Sequence, residues 1–148
     1  MDDPFVKALA SLPHGPEFRF IDCLLHLEPG RSGVGEYQIP PDAPFLRGHF
    51  PGQALFPGVL LIEAAAQLVG VVAQSDPRIP PLPGLKLTAL RGIKILGSAK
   101  PGQTLRLDAR ITGRLGNLIQ ADAVVSLGGQ PLLQGTMALS GEPAQTSG

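Results

Sequence analysis

The strongest constraint on the fold of this chain is an apolar segment at residues 57–74, PGVLLIEAAAQLVGVVAQ. A Pro-Gly pair opens the segment and a Ser-Asp-Pro sequence follows its end, and both are signals of helix termini. Glu63 and Gln67 are its only polar residues between positions 59 and 73, so a helix here would be apolar on nearly every face. It is too short for a membrane span and carries a carboxylate. The segment therefore predicts a buried helix at the centre of the domain.

Segments on both sides of this helix have the pattern of β-strands. Before it, strands are predicted at residues 18–25 and 32–39, after a short helix at residues 4–11. Later residues alternate between apolar and polar side chains, as in an antiparallel sheet with one solvated face, and the predicted strands cover residues 85–96, 104–112, 119–127 and 133–139. The sum predicts an α+β domain over residues 1–141, an antiparallel sheet packed on one long helix, and a flexible tail at 142–148.

The composition excludes several functional classes. Twelve basic residues balance twelve acidic ones, so the net charge does not favour a nucleic-acid-binding protein. Cys23 is the only cysteine, which rules out an internal disulfide and a multi-cysteine zinc site and leaves a buried structural thiol as the interpretation. The first residues, Met-Asp-Asp, lack the basic start and apolar core of a signal peptide. We therefore expect a cytoplasmic protein without a membrane span.

Glu63 is the polar residue that most needs an explanation. A carboxyl group within an apolar helix costs on the order of several kcal/mol unless it is paired, protonated or used in chemistry. Gln67 lies four residues further on the same helix face, where its amide can orient the carboxyl group. A Glu–Gln pair that only fixes packing is the alternative, but it does not explain why a carboxyl group stands where leucine or alanine would serve. Glu63 is therefore a candidate general acid.

Among the three histidines, His49 is the best candidate for a base that works with Glu63. It stands in the sequence RGHFPG at residues 47–52, within a proline-rich irregular loop that precedes the predicted helix. The flanking glycines allow close backbone approach and the proline stiffens the turn, which suits an imidazole held in one position. His14 is expected in a loop or capping role, and His26 as a partly buried strand residue.

Other kinds of site fit these residues less well. One histidine and one glutamate make a poor metal site, so no bound metal is expected. The chain lacks a Gly-x-Ser-x-Gly motif for a nucleophilic serine, and its glycines match neither a phosphate-binding loop nor a dinucleotide fingerprint. An acid–base pair is the interpretation that the residues favour.

Residues 45–67, FLRGHFPGQALFPGVLLIEAAAQ, contain Gly-His-Phe-Pro-Gly, then Pro-Gly-Val, then Glu-Ala-Ala-Ala-Gln. This run resembles the FabZ-type 3-hydroxyacyl-[acyl-carrier-protein] dehydratases, which carry the same motifs at the same spacing, and weaker similarity covers nearly the whole chain. The resemblance implies a hotdog fold, in which an antiparallel sheet wraps around a long buried helix. It also implies a homodimer, often assembled into a trimer of dimers, in which His49 of one subunit faces Glu63 of the other.

The resemblance further implies a role for each site residue. His49 would remove the C2 proton of a 3-hydroxyacyl thioester, and Glu63 would protonate the departing C3 hydroxyl, giving a trans-2-enoyl product and water. The thioester carbonyl would bind at the helix start, at the Gly58 and Val59 amides. The expected supporting residues are Gln67, Gly48, Phe50 and Pro51. The substrate would be carried on the phosphopantetheine of an acyl carrier protein, without a further cofactor, in fatty-acid or related polyketide-type or polyene synthesis.

Two alternatives to a dehydratase stay open. An acyl-thioester hydrolase of the same fold would need a water molecule or nucleophile at the carbonyl carbon. A non-catalytic acyl-binding paralogue would need neither His49 nor Glu63. The family often has a tyrosine or phenylalanine after the central helix, where its ring gates the acyl tunnel, whereas residues 80–84 here read PPLPG. The chain-length preference is therefore not transferred from the family.

Basic residues are concentrated between positions 78 and 114, where eight of them stand against one acidic residue, Asp108. Because acyl carrier proteins are acidic, a basic surface would steer them to the site. Lys86, Arg91 and Lys94 are the candidate docking residues. A solvated strand whose charges protect a sheet edge is the alternative interpretation.

Overall fold

The computed structural model describes residues 4–15, 18–42 and 55–142. The described elements are α1 (Pro4–Leu9), β1 (Cys23–Glu28), β2 (Ser32–Gln38), α2 (Gly58–Ala73), β3 (Lys86–Ile95), β4 (Thr104–Leu115), β5 (Leu118–Leu127) and β6 (Gln130–Ser140). This order confirms the predicted α+β arrangement of one long helix inserted between two strands and four strands. Apart from Glu142, the predicted tail lies outside the described residues. Within the described ranges, no helix is long and apolar enough to cross a bilayer.

The six strands form one antiparallel sheet in the order β1-β2-β4-β5-β6-β3. Tight turns join β4 to β5 and β5 to β6, and Gly116, Gly128 and Gly129 adopt the positive φ angles that these turns require. Strand β2 pairs with β4, although α2 and β3 lie between them in the chain. Strand β3 pairs with β6 and forms the edge of the sheet opposite to β1, so it is an outer strand.

Helix α2 packs against the apolar face of the sheet, mainly on β4 and β5. A Cβ atom at Gly33 of β2 would lie 2.7 Å from Cγ2 of Val72, so glycine is what lets the end of the helix approach this strand. Ten of the 16 residues of α2 are buried. The prediction that the helix is buried on nearly every face is wrong for its first turn, where Val59 is 71% exposed.

The strand predicted at residues 18–25 begins only at Cys23. Phe20 packs instead in an aromatic cluster, with ring centroids 4.9 Å from Phe18, 5.6 Å from Tyr37 and 5.8 Å from Phe56. The apolar pattern of residues 18–22 therefore reflects contacts of an irregular segment with the core. Strand β4 also continues to Leu115, beyond the predicted end at residue 112.

Cys23 and His26 are exposed, which contradicts the predictions of a buried thiol and a partly buried histidine. Both lie on β1, an outer strand whose register shifts between Leu24 and His26 and on which Leu24 alone is buried. Partial desolvation and the nearby carboxylates of Glu36 and Asp22 raise the pKa of the Cys23 thiol. This shift keeps the thiol protonated, as expected for a residue that is not a nucleophile.

The side chain of Gln67 ties the irregular segment to α2. Its Oε1 accepts a hydrogen bond from the Phe20 amide at 2.9 Å, and its Nε2 donates to the Phe18 carbonyl at 2.8 Å. Gln67 is 2% exposed; its bond with the Phe20 amide is buried and its bond with the Phe18 carbonyl is partly buried. The segment that precedes β1 is thus fixed to the middle of the helix by one side chain.

We expect Gln67→Met to lower the free energy of unfolding by about 1–3 kcal/mol, because a thioether of similar size cannot replace buried amide hydrogen bonds. Urea denaturation followed by circular dichroism measures the change. Gln130→Met is the matched control, since Gln130 is exposed at the start of β6. Equal effects of the two substitutions would show that the Gln67 hydrogen bonds do not stabilise the fold.

Candidate active site

Glu63 lies in the second turn of α2, at one end of a cavity of about 690 Å³. The helix contributes Ala66, Gly70 and Gln74 to the wall beyond it. The remaining wall is mostly apolar and includes Leu12, Leu82, Leu85, Leu87 and Leu139. The Glu63 side chain is 25% exposed, so the carboxyl group opens to the cavity and is not enclosed in the core. A carboxyl group at one end of an apolar cavity is typical of a binding site with a reactive group.

Two nitrogen atoms contact the same oxygen of the Glu63 carboxyl group. Nε2 of Gln67 and Nε2 of His14 each lie 3.3 Å from Oε1. Oε2 makes no hydrogen bond with any residue that the structure describes. The arrangement fixes the orientation of the carboxyl group and leaves its second oxygen for proton exchange with a bound molecule.

His14 contacts Glu63, so the prediction of a loop or capping role for this histidine misses its place in the site. The Arg19 guanidinium donates to the His14 carbonyl at 2.8 Å, and the imidazole stacks on the Phe18 ring. Its Nδ1 is buried and has no hydrogen-bond partner within the described part of the chain. The tautomer with its proton on Nε2 fits this environment, because it donates to Glu63 and buries no unpaired N–H.

His49 and its neighbours Gly48, Phe50 and Pro51 lie outside the described residues, so the role of His49 stays a prediction. The described chain on both sides of this segment is anchored to one place. The Ile39 amide donates to the Gln103 carbonyl at 2.9 Å, and the Phe56 amide donates to the Ala99 carbonyl at 2.8 Å. Both anchors hold the chain to the connection between β3 and β4.

Gly58 is the first residue of α2, and no side chain in the described part of the chain caps this end of the helix. The first amides of a helix have no intrahelical acceptor and carry a partial positive charge, so the Gly58 and Val59 amides suit a carbonyl or enolate oxygen. A Cβ atom at Gly58 would lie 3.3 Å from Cδ1 of Ile95, which places the end of β3 beside the helix start.

The structure separates the basic residues into paired and unpaired groups. Asp76 pairs with Arg78 at 3.0 Å, Asp108 with Arg106 at 3.1 Å and Asp122 with Arg110 at 3.6 Å. Hydrogen bonds from Arg78 hold the pKa of Asp76 below its usual value.

Arg114 donates to the Ala73 carbonyl at the end of α2. Lys86, Arg91 and Lys94 are exposed on β3 and form no ion pair with a described residue, and Lys86 also lines the cavity. These three candidate docking residues therefore remain available to an acidic partner.

Comparisons with known proteins agree with this geometry. A family model described as a FabA-like domain matches residues 12–136. A relative from Roseiflexus sp. (strain RS-1), named 3-hydroxyacyl-[acyl-carrier-protein] dehydratase FabZ, is 35% identical over 92% of this chain and 96% of its own. A Clostridioides difficile protein of the same name is 32% identical over 85% of this chain and 88% of its own.

Solved structures with the hotdog fold resemble this chain at low sequence identity. The dehydratase heterocomplex ApeI:P of Xenorhabdus doucetiae matches with a TM-score of 0.76 and 15% identity, over 95% of this chain and 92% of the other. Thioesterase superfamily member 2 of zebrafish matches with a TM-score of 0.66 and 16% identity, over 92% of each chain. These likenesses show the hotdog fold. Because the family model and the sequence relatives both span the helix, the cavity wall and most of the sheet, the chain belongs to the FabA-like family and, within it, to the FabZ-type 3-hydroxyacyl-[acyl-carrier-protein] dehydratases.

Proposed function

We propose that this chain converts a 3-hydroxyacyl group on an acyl carrier protein into the trans-2-enoyl group and water. The observation that carries the proposal is the position of Glu63 at one end of an apolar cavity, with Oε1 held by Gln67 and His14. The cavity would take the acyl chain, and the carboxyl group would meet the hydroxyl near its thioester end. The relatives named above carry the same activity in their names.

The proposed reaction is an acid–base elimination. The His49 imidazole takes the C2 proton, and the electron pair of that C–H bond passes through an enolate to form the C2–C3 double bond. Amides at the start of α2 stabilise the enolate oxygen. Glu63, protonated at Oε2, gives its proton to the C3 hydroxyl, which leaves as water. Return of the proton from His49 to Glu63 restores the site, so the reaction needs no cofactor.

A second copy of this chain is the proposed partner at the exposed side of β3. Among the described residues no strand pairs with the outer edge of β3, and the backbone N–H and C=O groups of such an edge can pair with an identical strand. The β3 patch, which we define as Val59, Leu90, Ile95 and Leu96, presents apolar side chains that are 71%, 45%, 53% and 55% exposed. The family resemblance implies a dimer in which His49 of one subunit faces Glu63 of the other, and trimers of such dimers as the further assembly.

An acyl carrier protein is the proposed substrate carrier, and unpaired Arg91 and Lys94 support its docking. Backbone pairing uses the edge of a strand, whereas its side chains point to the two faces, so dimer formation and docking can share β3.

The proposed setting is the cytoplasm. Cys23, the single cysteine of the chain, is exposed and free, which fits a reducing compartment.

We expect Glu63→Gln to lower kcat for dehydration by about 10²–10⁴-fold, because the amide keeps the size of the side chain but has no acidic proton. Enoyl-thioester absorbance with a 3-hydroxyacyl-carrier substrate measures the rate. Glu36→Gln, the same chemical change on β2, is the control and should retain the wild-type rate. His14→Ala should cause a smaller loss in kcat, whereas His26→Ala on β1 should cause none.

Two results of this assay would contradict the proposal. A Glu63→Gln protein that is folded and fully active would remove Glu63 from the reaction. Release of free thiol by the wild type, without formation of an enoyl product, would favour the thioester hydrolase instead.

We expect Leu90→Glu to weaken the dimer at least about tenfold, since it places a charge in the β3 patch. Sedimentation velocity over a range of protein concentrations measures the dissociation constant. Leu115→Glu is the matched control, because Leu115 is 80% exposed on β4, which β5 and β6 separate from β3. A dimer that Leu90→Glu leaves intact, or a wild type that is monomeric, would overturn the proposed interface.

We expect the double variant Arg91→Glu/Lys94→Glu to raise KM for carrier-linked substrate by about tenfold or more at low salt. KM for the corresponding pantetheine thioester should stay at the wild-type value. Lys7→Glu/Arg31→Glu makes the same change in net charge on α1 and the β1–β2 turn, outside the β3 surface. An equal loss with both substrates would show that these side chains do not dock the carrier.

A further inference from the structure

A second glutamine, Gln74, holds the connection between α2 and β3 to the end of the helix. Its Nε2 donates to the Leu82 carbonyl at 2.8 Å, and its Oε1 accepts from the Leu82 amide at 2.9 Å. One side-chain amide thus pairs with both backbone groups of one residue. This pairing, the Gln74–Leu82 clasp, fixes the position of the chain where it leaves the helix.

The same connection is also held from the sheet. The Glu142 amide donates to the Pro83 carbonyl at 2.7 Å, just beyond the end of β6. A Cβ atom at Gly141 would lie 2.7 Å from Cβ of Leu82, so the chain and the sheet are in close contact here. Gly84 has a φ of +63°, which lets the chain turn into β3. Residues 82–84 therefore form a wall attached to both the helix and the sheet.

This wall lies at the end of the cavity opposite to Glu63. The helix residues that line the cavity run from Glu63 through Ala66 and Gly70 to Gln74. At a rise of 1.5 Å per residue, Glu63 and Gln74 are separated by about 16 Å along the helix axis. The cavity thus has a carboxyl group at one end and the Gln74–Leu82 clasp at the other.

Gly70 stands midway along the cavity wall. A Cβ atom there would lie 3.8 Å from Cδ2 of Leu139 and 3.9 Å from Cδ2 of Leu85, so alanine would fit, whereas a longer side chain would enter the cavity. Glycine disfavours a helix interior relative to alanine. A residue no larger than alanine at position 70 therefore leaves the middle of the cavity open.

We propose that the Gln74–Leu82 clasp closes the acyl site and sets the longest acyl chain that this enzyme accepts, with Gly70 keeping the path to the clasp open. An extended alkyl chain advances about 1.3 Å per carbon, so about twelve carbons fit between C3, which meets Glu63, and the clasp, and the limit is about fifteen carbons in all. The inference rests on the proposed function, because it takes the acyl chain as the occupant of the cavity. The substrate class is therefore a 3-hydroxyacyl chain of up to about fifteen carbons.

The test compares Gly70→Leu and Gln74→Ala with the wild type, using 3-hydroxyacyl-pantetheine thioesters shorter and longer than the limit. Gly70→Leu should lower the ratio of kcat/KM for medium chains to that for short chains by at least about tenfold, since one displaced methylene is worth about 10–200-fold. Gln74→Ala should raise the ratio of kcat/KM for chains longer than the limit to that for shorter chains, because it releases Leu82 from the helix. Gly113→Leu and Gln130→Ala, away from the cavity, should leave the length profile unchanged.

Binding of S-alkyl-pantetheine thioethers, measured by calorimetry, separates this inference from the proposed reaction. The alkyl length above which the thioethers no longer bind is compared between the wild type and the two variants. A shift in this length, with no turnover by the wild type, would support the length limit and refute dehydration. Turnover with a length profile that neither variant changes would overturn the length limit and leave dehydration standing. Absence of both binding and turnover in folded wild-type protein would overturn both.

Discussion

The site depends on the hydrogen bonds of the Gln67 side-chain amide. This amide is fixed by the backbone of Phe18 and Phe20 before it contacts Glu63, so the carboxyl group meets a donor that cannot rotate freely. The same hydrogen bonds hold residues 18–20 against α2, and through them the stacked His14 ring. Removal of this amide would therefore loosen both the segment that carries His14 and the orientation of Glu63. Fixed orientation matters because a proton donor acts only within hydrogen-bond reach of its acceptor.

Helix α2 carries two glutamines that act alike. Gln67 binds the backbone before β1, and Gln74 binds the backbone before β3. Between these attachment points the helix and the sheet do not close on each other, and the cavity occupies the space between them. Because α2 is otherwise packed on the sheet, the row that includes Glu63 and Gly70 is the part of the helix that a bound chain can reach. The polar residues of an apolar helix thus define the two ends of the proposed acyl site.

Much of this arrangement could be predicted from the sequence, because it depends on local periodicity. The apolar run at residues 57–74 determines a buried helix, and the alternating pattern after it determines the later strands. The predictions were wrong where contacts between distant parts of the chain, and not the local sequence pattern, determine the structure. Residues 18–22 have the apolar character of a strand, but their aromatic rings join a cluster with Tyr37 and Phe56. Cys23 and His26 are exposed because β1 is an outer strand, which strand order alone decides.

The sequence by itself determined the fold class, the family and the importance of Glu63 and Gln67, because a carboxyl group and an amide in an apolar helix are costly unless they have partners. Only the tertiary structure decided what those partners are. It brought His14 to the same oxygen as Gln67, placed Gln74 against Leu82, and moved β3 to the outside of the sheet. The His14–Glu63 contact and the pairing of β3 with β6 join residues that are far apart in the chain, and the Gln74–Leu82 contact depends on the path of the chain after the helix. No periodicity within a segment carries that information.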